Sequence, residues 1–175
     1  LMLFGLSWLY GVSGSTNITE IHTALLTNGN PFLVYISLLL IIVGFGYKIS
    51  MAPFHYWTPD VYEGSPTPVT AFLSIGPKAA GFSILIRIIY GLFTQDGGLS
   101  STTTLYGVNW PLIFAVLAAI TMTIGNFLAL HQENVKRLLA FSSISHVGFM
   151  LIGFAVIGTE ALSAVLFYLV IYFFM

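Results

Sequence analysis

The sequence contains no cysteine and very little charge. Five Lys or Arg and six Asp or Glu are spread over 175 residues. Without cysteine the chain cannot form a disulfide or hold an iron–sulfur cluster through thiolates. Only 6% of the residues are charged, whereas a soluble domain carries about 25%. A net charge of −1 argues against a nucleic-acid partner. Hydrophobic residues make up 57%, which is typical of a protein embedded in a lipid bilayer.

Apolar runs define the predicted architecture. A helix needs about 20 apolar residues to cross a bilayer core of about 30 Å. The sequence predicts an all-α, polytopic transmembrane helix bundle in a single domain, residues 1–175. We expect a fragment, because the outer runs have no polar flank at either end. The predicted connector after the first run contains His22, which we expect to be solvated. The six predicted spans cover approximately residues 1–14, 32–62 (broken), 69–93, 110–131, 138–158 and 161–175.

The connectors predict an orientation. Spans alternate in direction, so the segments 53–68 and 132–137 share one side of the membrane. Lys136 and Arg137 are the only basic residues in any connector. The excess of basic residues in cytoplasmic loops places this side in the cytoplasm, or in the matrix of an organelle. We expect a bacterial plasma membrane, with the mitochondrial inner membrane as the alternative.

The second span contains a predicted break. Pro53 follows the helical run IIVGFGYKISMA, and proline both lacks an amide hydrogen and clashes with the preceding turn. We therefore expect the helix to be interrupted between about residues 48 and 55. Broken helices are tolerated at membrane depth where they are buried in protein or border a water-filled cavity. The second span is thus predicted to border a hydrated path.

Two lysines lie inside the predicted spans. An ionisable residue there costs about 2.5–3.5 kcal/mol on insertion scales, which makes it a functional candidate. Lys78 is far from either end of its span, whereas Lys48 lies close enough to the break for its ammonium to reach the interface. Desolvation disfavours a charged ammonium, so both amines are candidates to gain and lose a proton. The alternatives are snorkelling for Lys48 and a static ion pair for Lys78.

Histidines are the secondary candidates. His55 follows the break and His146 lies in SSISHVGFM on the fifth span. An imidazole transfers protons readily near neutral pH, although a packing role accounts for either residue equally well. The histidines lack the spacing of a metal site, and the phosphate-binding motifs GxGxxG and GxxxxGK[ST] are absent. We expect no metal and no nucleotide on this chain.

Two long segments carry a resemblance to a known family. GYKISMAPFHYWTPDVYEGSPTPVTAFLSIGPKAAGF, residues 46–82, and GNFLALHQENVKRLLAFSSISHVGFMLIGF, residues 125–154, resemble the antiporter-like membrane subunits of respiratory complex I, the proton-pumping NADH:quinone oxidoreductase. The resemblance is strongest to the subunit 2 branch, called subunit N in bacteria. Related subunits typically carry a histidine where this chain has Lys78.

The resemblance implies roles for particular residues. Lys48 would be the lysine that holds a proton on the broken helix, and Lys78 would pass protons laterally. The implied fold is a pair of inverted five-helix repeats, of which this chain would hold a part. The glutamate that pairs with the first lysine would precede residue 1, and the exit lysine would follow residue 175.

The resemblance also implies partners and cofactors. Other membrane subunits of complex I, the lipid bilayer and protons are the expected partners. NADH, FMN, iron–sulfur clusters and quinone are expected on other subunits, with no cofactor on this chain. Two other functions stay open: a subunit of a multisubunit cation/proton antiporter, and a helical scaffold that conducts nothing.

Overall fold

The computed structural model describes residues 1–28, 30–95, 98–99, 104–105, 108–156 and 158–174. Within these residues the chain is almost entirely helical, which confirms the predicted all-α class. Four strands of two residues form two antiparallel pairs between α5 and α6, β1 (Thr94–Gln95) with β2 (Gly98–Leu99) and β3 (Thr104–Leu105) with β4 (Val108–Asn109). The helices are α1 (Met2–Ser13), α2 (Ile18–Asn28), α3 (Pro31–Ile49), α4 (Trp57–Gly64), α5 (Thr67–Phe93), α6 (Trp110–Leu130), α7 (Val135–Val156) and α8 (Thr159–Phe174).

Four of the described helices are long and apolar enough to cross a membrane. They are α3 over Phe32–Ile49, α5 over Thr67–Leu92, α6 and α7. The apolar helices α1 and α8 are shorter. The assignment of all six apolar runs as spans of one domain stays a prediction.

The chain divides into two compact units. One consists of Leu1–Phe45 with Ser83–Asn109, and the other of Gly46–Phe82 with Trp110–Met175. In the second unit α7 packs along α6 and also contacts α4 and α8. This second unit contains all four of the candidate site residues.

In the first unit, the connector after α1 differs from the prediction. It forms helix α2, and His22 is buried there, with its Nδ1 2.6 Å from the Leu92 carbonyl oxygen at the end of α5. Asn17 caps this helix by accepting a hydrogen bond from the Thr19 amide. Ile18 and Leu25 are spaced to face the same side of the helix, and this apolar side can pack against the rest of the protein. The expectation of a solvated His22 was therefore wrong.

The predicted break in the second span is confirmed. α3 ends at Ile49 and α4 begins at Trp57. Ser50 adopts a left-handed backbone with φ of 66°. Its amide donates to the Tyr47 carbonyl at 3.3 Å, and the next amide, of Met51, donates to the Gly46 carbonyl at 2.8 Å. These paired bonds form a Schellman motif. The helix therefore stops before it reaches the proline.

Polar groups freed at the break find partners. The Thr58 hydroxyl donates to Ser50 Oγ at 2.6 Å, and the Trp57 indole donates to the Tyr47 carbonyl at 2.8 Å. The Ala52 amide donates to the Thr121 hydroxyl of α6 at 3.2 Å. Unsatisfied backbone groups are costly in lipid, so these bonds allow an irregular backbone to persist inside a helical bundle.

Candidate functional site

Lys78 lies about midway along α5, which has 27 residues. Its side chain is only 2% exposed, and its ammonium donates a hydrogen bond to the Ser143 hydroxyl of α7. Pro77 directly precedes it inside the helix, so one backbone hydrogen bond is missing on the preceding turn. This burial agrees with the prediction that Lys78 faces the protein interior.

Aromatic rings flank the same ammonium. Lys78 Nζ is 6.0 Å from the ring centroid of Tyr62 on α4 and 6.0 Å from that of Tyr172 on α8. Both distances are at the limit for a cation–π attraction. Among the described residues no carboxylate forms an ion pair with Lys78. The static pairing that was the alternative for Lys78 thus has no acidic partner in the described part of the chain.

A cavity of about 290 Å³ lies beside Ser143, Tyr62 and Tyr172, the residues that surround the Lys78 ammonium. One water occupies about 30 Å³ in the liquid, so the cavity has room for several. Its lining combines hydroxyl groups, one imidazole and one amine with a few aliphatic side chains. The lining residues are Tyr62, Thr67, Thr70, Ala71, Ser74, Ile75, Lys136, Leu139, Ser142, Ser143, His146 and Tyr172.

His146 reaches the same cavity from α7. It lies three residues after Ser143, on the same helical face, and is partly buried. Its Nδ1 is 2.7 Å from the Tyr168 hydroxyl of α8, a hydrogen bond. Ser145 turns away and donates to the Asn126 side chain of α6 at 2.9 Å. The structure thus brings His146 to the same cavity as Ser143, the hydrogen-bond partner of Lys78, and the part that His146 plays there stays a prediction.

Lys48 lies in the last turn of α3, where a cation interacts favourably with the helix dipole. Lys48 is exposed in this chain. Its stem, however, packs against α5: a methyl group added at Gly81 would lie 3.5 Å from Lys48 Cγ. Gly81 is one helical turn beyond Lys78. The Lys48 stem therefore packs against the segment of α5 that contains Lys78.

His55 is buried in the turn between α3 and α4 and is 2% exposed. Its ring stacks on Tyr56 at 4.5 Å and meets the edge of Phe141 at 6.5 Å, measured between centroids. Its Nδ1 has no hydrogen-bond partner in the described part of the chain. The structure therefore does not join His55 to Lys48 or Lys78, and a relay role for it stays a prediction.

Three tyrosines were missed from the sequence. Tyr168 and Tyr172 are four residues apart on α8, a spacing that places them on one face and could have been noticed. Tyr62 gave no such signal. Its hydroxyl is buried. The described residues also contain no group of three or more His, Asp or Glu that could hold a metal ion.

Apolar helices around a buried lysine, a cavity lined in part by hydroxyl groups and one broken helix define a class: polytopic membrane proteins with an ionisable interior. Comparison with known proteins identifies a particular family. The family model described as "NADH:quinone oxidoreductase/Mrp antiporter, TM" matches residues 1–175. The chain belongs to this family. It is an integral membrane protein, and its bacterial relatives support the plasma membrane as its location.

Several relatives resemble the whole chain. NADH-quinone oxidoreductase subunit N 2 of Sorangium cellulosum is 51% identical over 100% of this chain and 35% of its own length. Subunit N of Chlorobium chlorochromatii is 46% identical, with 100% and 34% covered. The chain thus spans about a third of the length of these relatives.

Solved structures agree with this assignment. Respiratory complex I from Thermus thermophilus contains a chain that is 35% identical, with a TM-score of 0.70 and 98% of this chain and 34% of that chain covered. A chain of the Mrp complex from Dietzia is 27% identical, with a TM-score of 0.79 and 96% and 29% covered. An archaeal membrane-bound sulfane sulfur reductase gives 33% identity and a TM-score of 0.76, with 96% and 32% covered.

Proposed function

We propose that this chain forms part of a proton-translocating membrane subunit of NADH:quinone oxidoreductase, equivalent to subunit N. Its closely similar curated relatives carry that subunit's name. The proposal depends mainly on the surroundings of Lys78. Its ammonium is buried on α5, donates a hydrogen bond to a serine hydroxyl and has no acidic partner among the described residues.

A buried lysine of this kind suits proton transfer. Burial favours the neutral amine, whereas Ser143 and the two flanking rings favour the ammonium. The two forms are thereby brought closer in free energy, so a change in nearby charge can load or unload the proton. A lysine bound to a carboxylate would instead stay charged.

The cavity beside Ser143 would supply a path for that proton. Ser143 and His146 lie on its wall together with Tyr172, and several waters fit between them. Hydrogen-bonded hydroxyls, imidazoles and waters can pass a proton along in short steps. Lys48 meets α5 one turn from Lys78, which suits a second site for the same proton. Lys48 and Lys78 are therefore the proposed principal relay residues, with His146 and His55 as subsidiary candidates.

The rest of the machine lies on other chains in this proposal. NADH, FMN, iron–sulfur clusters and quinone would be held by other subunits. This chain has no cysteine to supply the thiolates that hold an iron–sulfur cluster. Neighbouring membrane subunits would be its partners. The chain would contribute to an enzyme without carrying out its redox chemistry.

An antiporter subunit is the second candidate. The resemblance to the Mrp chain, with a TM-score of 0.79, favours it. A lysine at position 78, where related antiporter subunits typically carry a histidine, favours complex I. Sodium efflux by the full-length protein in its native complex, without NADH-dependent pumping, would select the antiporter.

The test is Lys78→Met in the full-length subunit within the assembled complex. Methionine keeps the apolar stem and removes the amine. Proton pumping in proteoliposomes should be lost and quinone reduction should slow, while electron transfer from NADH to an artificial acceptor stays normal. Arg87→Met is the matched control, because Arg87 is an exposed cation on the same helix. Full pumping by Lys78→Met would refute the proposed relay.

A further inference from the structure

Two basic residues occupy an unfavourable place at the start of α7. Lys136 and Arg137 are its second and third residues, and the first turn contains no acid. The amino end of a helix carries partial positive charge, which disfavours a nearby cation by about 0.3–1 kcal/mol. Their presence there calls for compensating partners.

Both residues find their partners on α4. Arg137 Nη1 is 2.8 Å from Asp60 Oδ1 and 2.8 Å from Glu63 Oε2. Lys136 Nζ donates to the carbonyl of Ser65 at 2.8 Å, and Ser65 is the C-cap residue that follows α4. That carbonyl lies at the negative end of the α4 dipole, where a cation is favoured.

A third side chain completes the contact. The Asn134 side-chain oxygen caps α7 by accepting from the Lys136 amide at 2.9 Å, while its amide nitrogen donates to Glu63 Oε1 at 3.0 Å. A single exposed ion pair contributes little to stability, but a network fixes geometry better. We call Asp60, Glu63, Asn134 and Arg137 the α4–α7 clamp.

The clamp acts on a helix that needs support. α4 has only eight residues, and isolated helices shorter than about 12 residues are marginal. Asp60 and Glu63 lie on its exposed side, whereas Tyr62 between them is buried and faces Lys78. A rotation of α4 would therefore move the Tyr62 ring away from the ammonium.

We propose that Arg137 is a positioning residue for the proton relay: through Asp60 and Glu63 it fixes the rotation of α4 and thereby holds Tyr62 against Lys78. This inference rests on the proposed function of Lys78. Arg137 transfers no proton itself, and its influence on pumping passes through Tyr62.

Membrane topology offers a competing explanation for the two basic residues. Cytoplasmic loops are enriched in Lys and Arg, whereas Asp and Glu contribute little to orientation. Glu63→Gln separates the two explanations. It leaves both cations in place, so orientation alone predicts normal pumping, whereas the clamp predicts a loss like that of Arg137→Gln.

The experiment measures pumping by assembled complexes that carry full-length variants, normalised to NADH oxidation by an artificial acceptor. Arg137→Gln and Glu63→Gln should each lower pumping several-fold, and Arg137→Lys should restore part of it. The exchange of charges in Arg137→Glu with Glu63→Arg should recover more activity than either single change. In a Tyr62→Leu background, Arg137→Gln should have no further effect.

Two results would overturn the inference. One is normal pumping by Arg137→Gln. The other is an equal fractional loss from Arg137→Gln with and without Tyr62, which would show that Arg137 acts by another route. Lys78→Met is measured in parallel. If it pumps normally, the proposed function itself fails; if it does not pump and Arg137→Gln does, only the clamp fails.

Discussion

At the scale of single residues, the molecule places its ionisable groups in unequal surroundings. Lys78 is buried and touches a hydroxyl and two rings, whereas Lys48 is exposed in this chain and touches α5 through its stem. Equal side chains therefore have unequal environments. Under the proposed function, a difference of this kind would let one site receive a proton that the other releases.

Lys48 can be tested by two substitutions. Lys48→Met removes the amine, and Lys48→Arg keeps a positive charge that does not dissociate in the working range. Both variants should assemble, and both should lose most proton pumping, because the relay needs a group that releases its proton. Pumping by Lys48→Arg at the normal rate would show instead that a fixed charge suffices at this position.

The sequence could identify the lysines but not their contacts. The position of Lys78 within a long apolar run was enough to predict burial, since neither interface was within reach. Ser143 is 65 positions further along the chain, and no local pattern pairs two such residues. The shared face of Tyr168 and Tyr172 could have been noticed, but no local pattern pairs a tyrosine of α4 or α8 with Lys78. His22 was misjudged because its connector was taken to be a loop.

At the scale of elements, the break between α3 and α4 controls where the site lies. The location of the break was predicted from Pro53, but its cause is more specific. Ser50 has already turned into the left-handed region and the Schellman bonds have closed before the proline is reached. A positive φ at serine cannot be read from the sequence, because this region is favoured mainly by glycine.

Pro53→Ala should therefore leave the break in place. The helix end depends on the bonds of Ser50 and Met51, and Thr58 and Trp57 hold the residues beyond it. A map of the assembled variant complex should still show α3 ending near Ile49. Continuous helical hydrogen bonding from residue 46 to residue 58 would show instead that Pro53 alone causes the break.

Helices α6 and α7 pack closely along each other. A methyl group added at Gly125 would lie 2.5 Å from Ser145 Oγ and 2.8 Å from the Ser145 backbone nitrogen. The backbone cannot move aside without separating the helices. Small residues commonly allow such close approach in membranes.

Gly125→Ala should consequently destabilise the full-length subunit by about 1–3 kcal/mol, the usual cost of overpacking. The measurement is the thermal unfolding midpoint of the purified complex in detergent, which should fall. Gly11→Ala is the matched control, because a methyl group there meets nothing within 4 Å and alanine favours a helix. An unchanged midpoint for Gly125→Ala would show that the two helices separate easily.

At the scale of the whole molecule, the chain corresponds to about a third of the length of its relatives. It spans 35% and 34% of the length of its Sorangium and Chlorobium relatives. The family could be predicted from residues 46–82 and 125–154 because these segments resemble those of the family in sequence, order and spacing. The convergence of α4, α5, α7 and α8 on one ammonium required the structure.

The proposed function requires Lys78 to change its protonation state during turnover. Infrared difference spectra of the assembled complex, recorded on addition of NADH with ¹⁵N-labelled lysine, detect such a change. We expect an ammonium band that shifts with the label, appears during turnover and is absent in Lys78→Met. A difference spectrum in which no band responds to lysine labelling, from a complex that pumps normally, would contradict it.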